Sequence, residues 1–236
     1  MYGLIAIGDI HGHLEKLVDL MNQVKPTAAD QLVFLGDYID RGPDSKGVID
    51  YLMSLQRQYP ETVFIRGNHD QLMLDALHET APERLPADWL RLDVACPGFP
   101  YGEPFRECQN TRLWLLNGGH KCLESFSDHK NPSLHDVPQE YVDFLIATKL
   151  WYRQSGFLFV HAGADEDRAL ENQIHTLLWE QNAPPGTRDI HVVGHRAQKS
   201  GQPLFEEGRY YIDTGAYRGR PLTACDVLTK QVWQAI

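Results

Sequence analysis

Five short clusters in this 236-residue chain combine side chains that bind divalent cations with glycines that let a backbone turn sharply. They are Gly8-Asp9-Ile10-His11-Gly12, Gly36-Asp37-Tyr38-Ile39-Asp40-Arg41-Gly42, Arg66-Gly67-Asn68-His69-Asp70, His161-Ala162-Gly163 and Gly194-His195. Asp9, His11, Asp37, Asn68, His161 and His195 offer oxygen and nitrogen donors suited to hard or borderline divalent cations, and six donors suffice for two ions. A single Asp or His at a strand end is usually a turn or cap residue. Five such clusters in succession have no economical structural explanation.

The elements around the clusters explain how residues so far apart can meet. Three times in the first 78 residues an apolar run ends in a Gly-Asp or Gly-Asn turn and gives way to a helical pattern. The strands are expected at Gly3 to Ile7, Leu32 to Leu35 and Val63 to Ile65, and the helices from near His13, Ser45 and Asp70. Leu14, Leu17, Val18 and Met21 carry the helical spacing of the first helix. This βαβαβα order predicts a largely parallel sheet, with ligands beyond the carboxyl ends of its strands, where the clusters fall. From about 79 to 112 five prolines break the pattern, apart from a short helix at Ala87 to Val94, so this segment reads as an inserted loop or cap. Helical stretches follow at His120 to Phe126 and Pro138 to Thr148. Strand-like runs then come at Phe157 to Val160, Ile190 to Val193, Arg209 to Ile212 and Leu222 to Val227. The expectation is one α/β domain over 1–236, closed as a two-sheet α/β/β/α sandwich.

Bulk composition narrows the partners. A formal net charge of -10, from 22 basic and 32 acidic residues, leaves no basic excess for nucleic acid or an anionic membrane surface. No apolar run approaches the roughly 20 residues of a membrane span, and no signal peptide is visible, so a cytoplasmic location is expected. Cys96, Cys108, Cys122 and Cys225 form no CxxC pair and read as free thiols, with a zinc site at Cys96 and Cys108 as the alternative.

The blocks GDIHG, GDYIDRG, GNHD, HAG and GH resemble the phosphoprotein phosphatase family of calcineurin-like metallophosphoesterases, over residues 3 to about 228. Leu115 to Gly119 and Tyr211 to Ala216 are similar to its small bacterial and bacteriophage branch. The resemblance implies that Asp9 and His11 bind a first metal, Asp37 bridges, and Asn68, His161 and His195 bind a second. The ions would be Mn2+ by resemblance, although the donor set also accepts Fe, Zn, Co or Ni. It also implies that His69 is the general acid, oriented by Asp40, and that Arg41, Arg66 and Asn68 hold the substrate phosphate. Two positions depart from the family pattern. Asp70 stands where Glu is common, as in relatives that cleave dinucleoside polyphosphates. Gln181 stands where close relatives carry a phosphate-binding arginine, a charge that Arg188 or Arg196 could supply instead. The implied activity is that of a phosphomonoesterase, of the protein serine/threonine phosphatase type, acting on phosphoproteins or small phosphate esters by attack of a metal-bridging water. The alternative is a symmetrical dinucleoside tetraphosphate hydrolase. A non-catalytic phosphate-binding module is disfavoured because all six metal ligands and the His69-Asp40 pair are present.

Overall fold

Alternating apolar residues give the first strands two buried faces. In the computed structural model, which describes residues 2–87 and 109–236, these strands are β1 (Leu4–Ile7), β2 (Gln31–Phe34) and β3 (Val63–Phe64). Ile5, Ile7, Leu32, Phe34 and Phe64 point to one side and pack with the helices. Leu4, Ala6, Val33, Leu35, Val63 and Ile65 point to the other and pack against a second sheet. The period of two along each strand thus separates two cores with one sheet.

The helical layer consists of α1 (Leu14–Val24), α2 (Ser45–Gln58), α3 (Asn68–Thr80), α4 (Gln109–Trp114), α5 (His120–Phe126) and α6 (Gln139–Ile146). Local signals fix its ends. The Asp44 carboxylate caps α2 by accepting the Gly47 amide at 2.7 Å, and Lys25, in a left-handed conformation, ends α1 just before Pro26.

The second sheet takes its inner face from Phe157, Phe159, Val192, Tyr210 and Ile212. Its outer face, with Leu158, Val160, Val193 and Tyr211, is covered by Leu170 and by Leu177 of α7 (Ile174–Trp179). The layers therefore run α/β/β/α, as expected, with a thin outer layer on the second sheet.

Both sheets are mixed, which corrects the expectation of a largely parallel first sheet. With β4 (Trp151–Gln154), β5 (Phe157–Val160), β6 (Ile190–Val193), β7 (Leu204–Glu206), β8 (Arg209–Tyr211), β9 (Leu222–Asp226) and β10 (Gln231–Ala235), the strand orders are β10-β9-β1-β2-β3 and β4-β5-β6-β8-β7. β1, β2 and β3 are parallel, as are β5, β6 and β8. β9 runs against β1, β4 against β5 and β7 against β8, while β10 pairs antiparallel with β9 and so shares the direction of β1. Short connections force the antiparallel pairing of β4 with β5, β7 with β8 and β9 with β10. The β4–β5 hairpin turns on Ser155 and Gly156, both at positive φ, as a two-residue turn with matching twist requires.

Cys122 and Cys225 are buried free thiols; Cys96 and Cys108 lie outside the described residues, as does most of the expected cap. Among the described residues no helix is long and apolar enough to cross a membrane.

Candidate metal centre

The turns after β1, β2, β3, β5 and β6 meet at the carboxyl ends of the strands. The first two are laced together: the amides of Ile10 and His11 donate to the Asp37 carbonyl, and that of Gly12 to the Tyr38 carbonyl. A Cβ on Gly67 would sit 2.1 Å from the Asp37 nitrogen, and one on Gly36 2.4 Å from the Gly67 nitrogen, so this contact requires glycine. Eight described non-glycine residues adopt positive φ, and five of them, His11, Asp37, Asp40, Arg41 and His195, stand in these turns. Backbone strain is thus concentrated where the polar side chains converge, as functional sites commonly show.

The hydrogen bonds identify which atoms are left to bind a ligand. His11 Nδ1 lies 3.0 Å from the Ile39 carbonyl oxygen, and His161 Nδ1 2.7 Å from that of Leu35. A carbonyl only accepts, so each Nδ1 donates and each Nε2 presents a lone pair. Those lone pairs face other acceptors. His11 Nε2 is 3.3 Å from Asp37 Oδ2; His161 Nε2 is 2.9 Å from Asn68 Oδ1 and 3.5 Å from Asp37 Oδ1. His195 Nδ1 reaches the same Asn68 oxygen at 2.9 Å. Donor atoms of His11, Asp37 and His69, and likewise of Asp37, His161 and His195, lie within 4.8 Å of one another, and Asp37 belongs to both groups.

Asp9 is 2% exposed beside these groups, and both its oxygens accept the His195 amide, at 3.1 and 3.0 Å. Burial, then the charges of Asp213 and Asp37, push its carboxyl well above the ordinary range. Burial lowers all three imidazoles, that of His195 to about 3, and so favours the neutral, metal-ligating form. Buried acceptors turned on one another, in two groups that share Asp37, could hold divalent metal ions.

Beside this set stands an acid–base pair. His69 Nδ1 lies 2.7 Å from Asp40 Oδ2, and Trp114 Nε1 donates to both Asp40 oxygens at 3.0 Å. None of the three is more than 1% exposed. Burial alone would lower the His69 pKa. The Asp37 charge, with the hydrogen bond and charge of Asp40, outweighs burial and raises it. Arg41 spans the two sets: its Nη1 lies 3.0 Å from His11 Nε2 and its Nη2 2.6 Å from His69 Nε2. Its guanidinium also stacks 4.1 Å over the Tyr217 ring, which meets the His11 ring edge-on.

The calcineurin-like phosphoesterase profile matches residues 3–218. The chain belongs to that family. It is 26% identical over 240 residues to serine/threonine-protein phosphatase 1 of Salmonella typhimurium, an alignment covering 92% of this chain and 88% of that one. Its fold matches a crystal structure of a provisionally assigned diadenosine tetraphosphatase with a TM-score of 0.64 at 18% identity, over 99% of this chain and 93% of that chain. A protein serine/threonine phosphatase from Saccharomyces cerevisiae matches with a TM-score of 0.57 at 14% identity, over 94% and 71% of the two chains. These two structures speak for the fold alone. As a calcineurin-like phosphoesterase the chain is a hydrolase of phosphoesters, in a family that uses divalent metals.

Within this phosphoesterase, Arg66 departs from the expectation of a phosphate ligand. It is 3% exposed, and its guanidinium donates to Thr148 Oγ1, Gln71 Oε1 and the carbonyls of Ile146 and Thr148. Those bonds tie β3 to α3 and to the chain after α6, so its donors are directed into the fold. Asp70 is likewise a brace: its carboxylate accepts the amides of Asp37, Tyr38 and Gly67, while burial and the Asp37 charge raise its pKa to about 7. Gln181 does face the site, with Nε2 3.3 Å from His195 Nε2. Neither proposed substitute for the missing arginine is directed there: Arg188 bonds Glu166 and Asp167, and Arg196 lies over the Tyr211 ring. Trp114, Asp213 and Tyr217 carry no role in the sequence reading. The segments around them were noted there only as marks of the bacterial branch.

Proposed function

We propose that this phosphoesterase is a metal-dependent phosphomonoesterase of the protein serine/threonine phosphatase type. Asp9 and His11 hold one divalent ion, Asn68, His161 and His195 hold a second, and Asp37 serves both. Ions bound there would polarise the phosphoryl group and lower the pKa of the attacking water. Arg41 carries paired, planar donors suited to two phosphate oxygens, and in taking them a phosphate dianion withdraws Arg41 from His69 Nε2. His69 Nε2 can then carry a proton and pass it to the leaving oxygen as the bond from phosphorus to that oxygen breaks. Asp40 holds the opposite ring nitrogen and stabilises the charged ring, and Trp114 fixes Asp40. The pairing of His69 with Asp40 beside Arg41 carries this reading, because an ester with a poor leaving group needs both a proton and a clamp.

The activating ion on this reading is Mn2+, and the protein acts in the cytoplasm as a single domain. A second reading, a symmetrical dinucleoside tetraphosphate hydrolase, draws support from Asp70 and from the fold likeness at a TM-score of 0.64. Steady-state hydrolysis of phosphoserine peptides, p-nitrophenyl phosphate and diadenosine tetraphosphate, by metal-free and Mn2+-loaded protein, tests both. The expected result is Mn2+-dependent turnover with higher kcat/KM on the peptides. Higher kcat/KM on the tetraphosphate would establish the second reading, and no turnover by metal-loaded protein would leave a binding module.

A further inference from the structure

A third buried carboxylate lies beside Asp9 and Asp37, and no family pattern considered above uses it. Asp213 follows β8, next to the end of β6 that carries His195; the Ile212 amide donates to the Val193 carbonyl, and the Gln198 amide to the Asp213 carbonyl. On its other side the chain presses on the residue before Asp9: a Cβ on Gly8 would lie 2.7 Å from the Ile212 oxygen and 3.3 Å from Asp213 Cα. Asp213 therefore stands where the ends of β1, β6 and β8 meet, on the Asp9 side of the centre.

Its two oxygens differ. Oδ1 accepts the Gly215 amide at 2.8 Å, whereas Oδ2 has no hydrogen-bond partner among the described residues although Asp213 is only 1% exposed. An orphaned buried acceptor is uncommon and calls for a ligand or an ordered water. Burial, followed by the Asp37 charge, raises the Asp213 carboxyl to about 6 against the Gly215 bond, and Asp213 in turn is the strongest influence after burial raising Asp9. Arg220 Nη1 is also buried without a partner and lies near Gly215, so a water-bridged link between Asp213 and Arg220 is the purely structural alternative.

We propose that Asp213 is a positioning residue of the metal centre, whose Oδ2 serves the divalent ion held by Asp9 and His11. That ion has the smaller expected ligand set, two residues and the shared Asp37, so a further carboxylate strengthens the weaker position. The inference rests on the metal-dependent reading above.

Asp213→Asn separates the alternatives, because the amide retains an acceptor for Gly215 and removes the charge. Mn2+ titration calorimetry of metal-free protein should show one of two ions bound about 10- to 100-fold more weakly, the loss typical of groups that support a metal ligand. The melting temperature of the metal-free variant should equal or exceed that of the parent, since a buried unpaired charge is removed, while its gain on Mn2+ addition shrinks. Unchanged affinity for both ions in a folded variant overturns the inference alone. A lower metal-free melting temperature, or failure to fold, assigns Asp213 to a structural link and also overturns it. If the parent protein binds no Mn2+, the metal-dependent reading fails and this one with it.

Discussion

Two buried histidine–carboxylate pairs stand at opposite ends of this molecule. His69 and Asp40 lie at the carboxyl ends of the first sheet; His191 and Glu166 lie at the start of β6 in the second. Asp40 receives only Trp114 and His69, at 2.7 Å from the latter, and its charge helps raise the His69 pKa. Glu166 is surrounded by donors: the amides of Thr187, Arg188 and Asp189 and the Thr187 hydroxyl, all within 3.0 Å. Burial works to raise its carboxyl, but these bonds hold it well below the ordinary range. His191 is a distant fifth partner at 3.3 Å, and burial leaves its pKa lowered. The same two residue types thus form a proton-handling pair where donors are scarce and a loop clamp where they are plentiful.

The strongest way to break this comparison is to remove both imidazoles in turn. His69→Asn should reduce kcat on phosphoserine peptides by about 10²–10⁴-fold, the range for losing a general acid, with a smaller loss on p-nitrophenyl phosphate, whose leaving group needs little protonation. The metal content of this variant should not change. His191→Asn should leave kcat of the folded protein unchanged. Equal losses on both substrates in His69→Asn would make His69 a positioning group instead.

The clamp should fail in the opposite manner. Glu166→Ala leaves three amides and a hydroxyl without their acceptor and should cost about 2–4 kcal/mol of stability, measured by urea unfolding, with kcat within about two-fold of the parent. Because the folded-state pKa of Glu166 is depressed, its stabilising effect is complete above the unfolded value of about 4.3 and declines as pH falls below it. The gap between parent and variant should therefore narrow in acid. A large loss of kcat in Glu166→Ala would show that the two ends of the molecule are coupled.

How far the sequence carries this contrast depends on how local the determinant is. The convergence of Asp9, His11, Asp37 and Asn68 was legible because each follows an apolar strand within a few residues, and parallel strands bring such turns together. Trp114 was not, since it approaches Asp40 across 74 residues and nothing in its neighbourhood marks the target of its indole. Arg66 was read as a phosphate ligand from its adjacency to Asn68, but adjacency does not determine direction, and its Nε donates to Thr148. Asp213, in an Asp-Thr-Gly turn, reads as one more strand end until the orphaned oxygen is located. The segment around the expected cap lies mostly outside the described residues.

A milder perturbation sharpens the first half of the comparison. Trp114→Phe removes one of the two donors to Asp40 and keeps most of the buried ring, so the fold should survive. Asp40 then has only His69 to satisfy it, and kcat on phosphoserine peptides should fall about ten-fold, the equivalent of one charge-assisted hydrogen bond. The limb of the pH–rate profile that reports the general acid should shift as well. A profile unchanged in both height and position would mean that Trp114 is packing alone.

The smallest effect tests how burial and donors compete at a carboxylate; at Asp70 burial and the Asp37 charge prevail over three amide donors. Asp75, on α3, accepts one side-chain hydrogen bond, from Gln71 Nε2 at 2.8 Å, and burial raises its carboxyl to about 6 despite that bond and the Arg66 charge. A raised carboxyl pKa carries the opposite sign to that of Glu166. Below about pH 4, Asp75 is protonated in folded and unfolded chains alike and has no effect on stability. Between about pH 4 and 6 the folded chain retains the proton longer, so stability falls as pH rises, and above about 6 the penalty is constant. Two pKa units correspond to roughly 2.7 kcal/mol, and the partial solvent access of Asp75 reduces this to about 1–2 kcal/mol. Asp75→Asn keeps the acceptor for Gln71 and removes the charge. It should be more stable than the parent by that amount at pH 7, with the difference vanishing near pH 4, in urea unfolding at the two pH values. A variant less stable at pH 7 would show that attraction to Arg66 outweighs burial, and the competition of burial with donors would no longer explain why Glu166 and Asp75 differ.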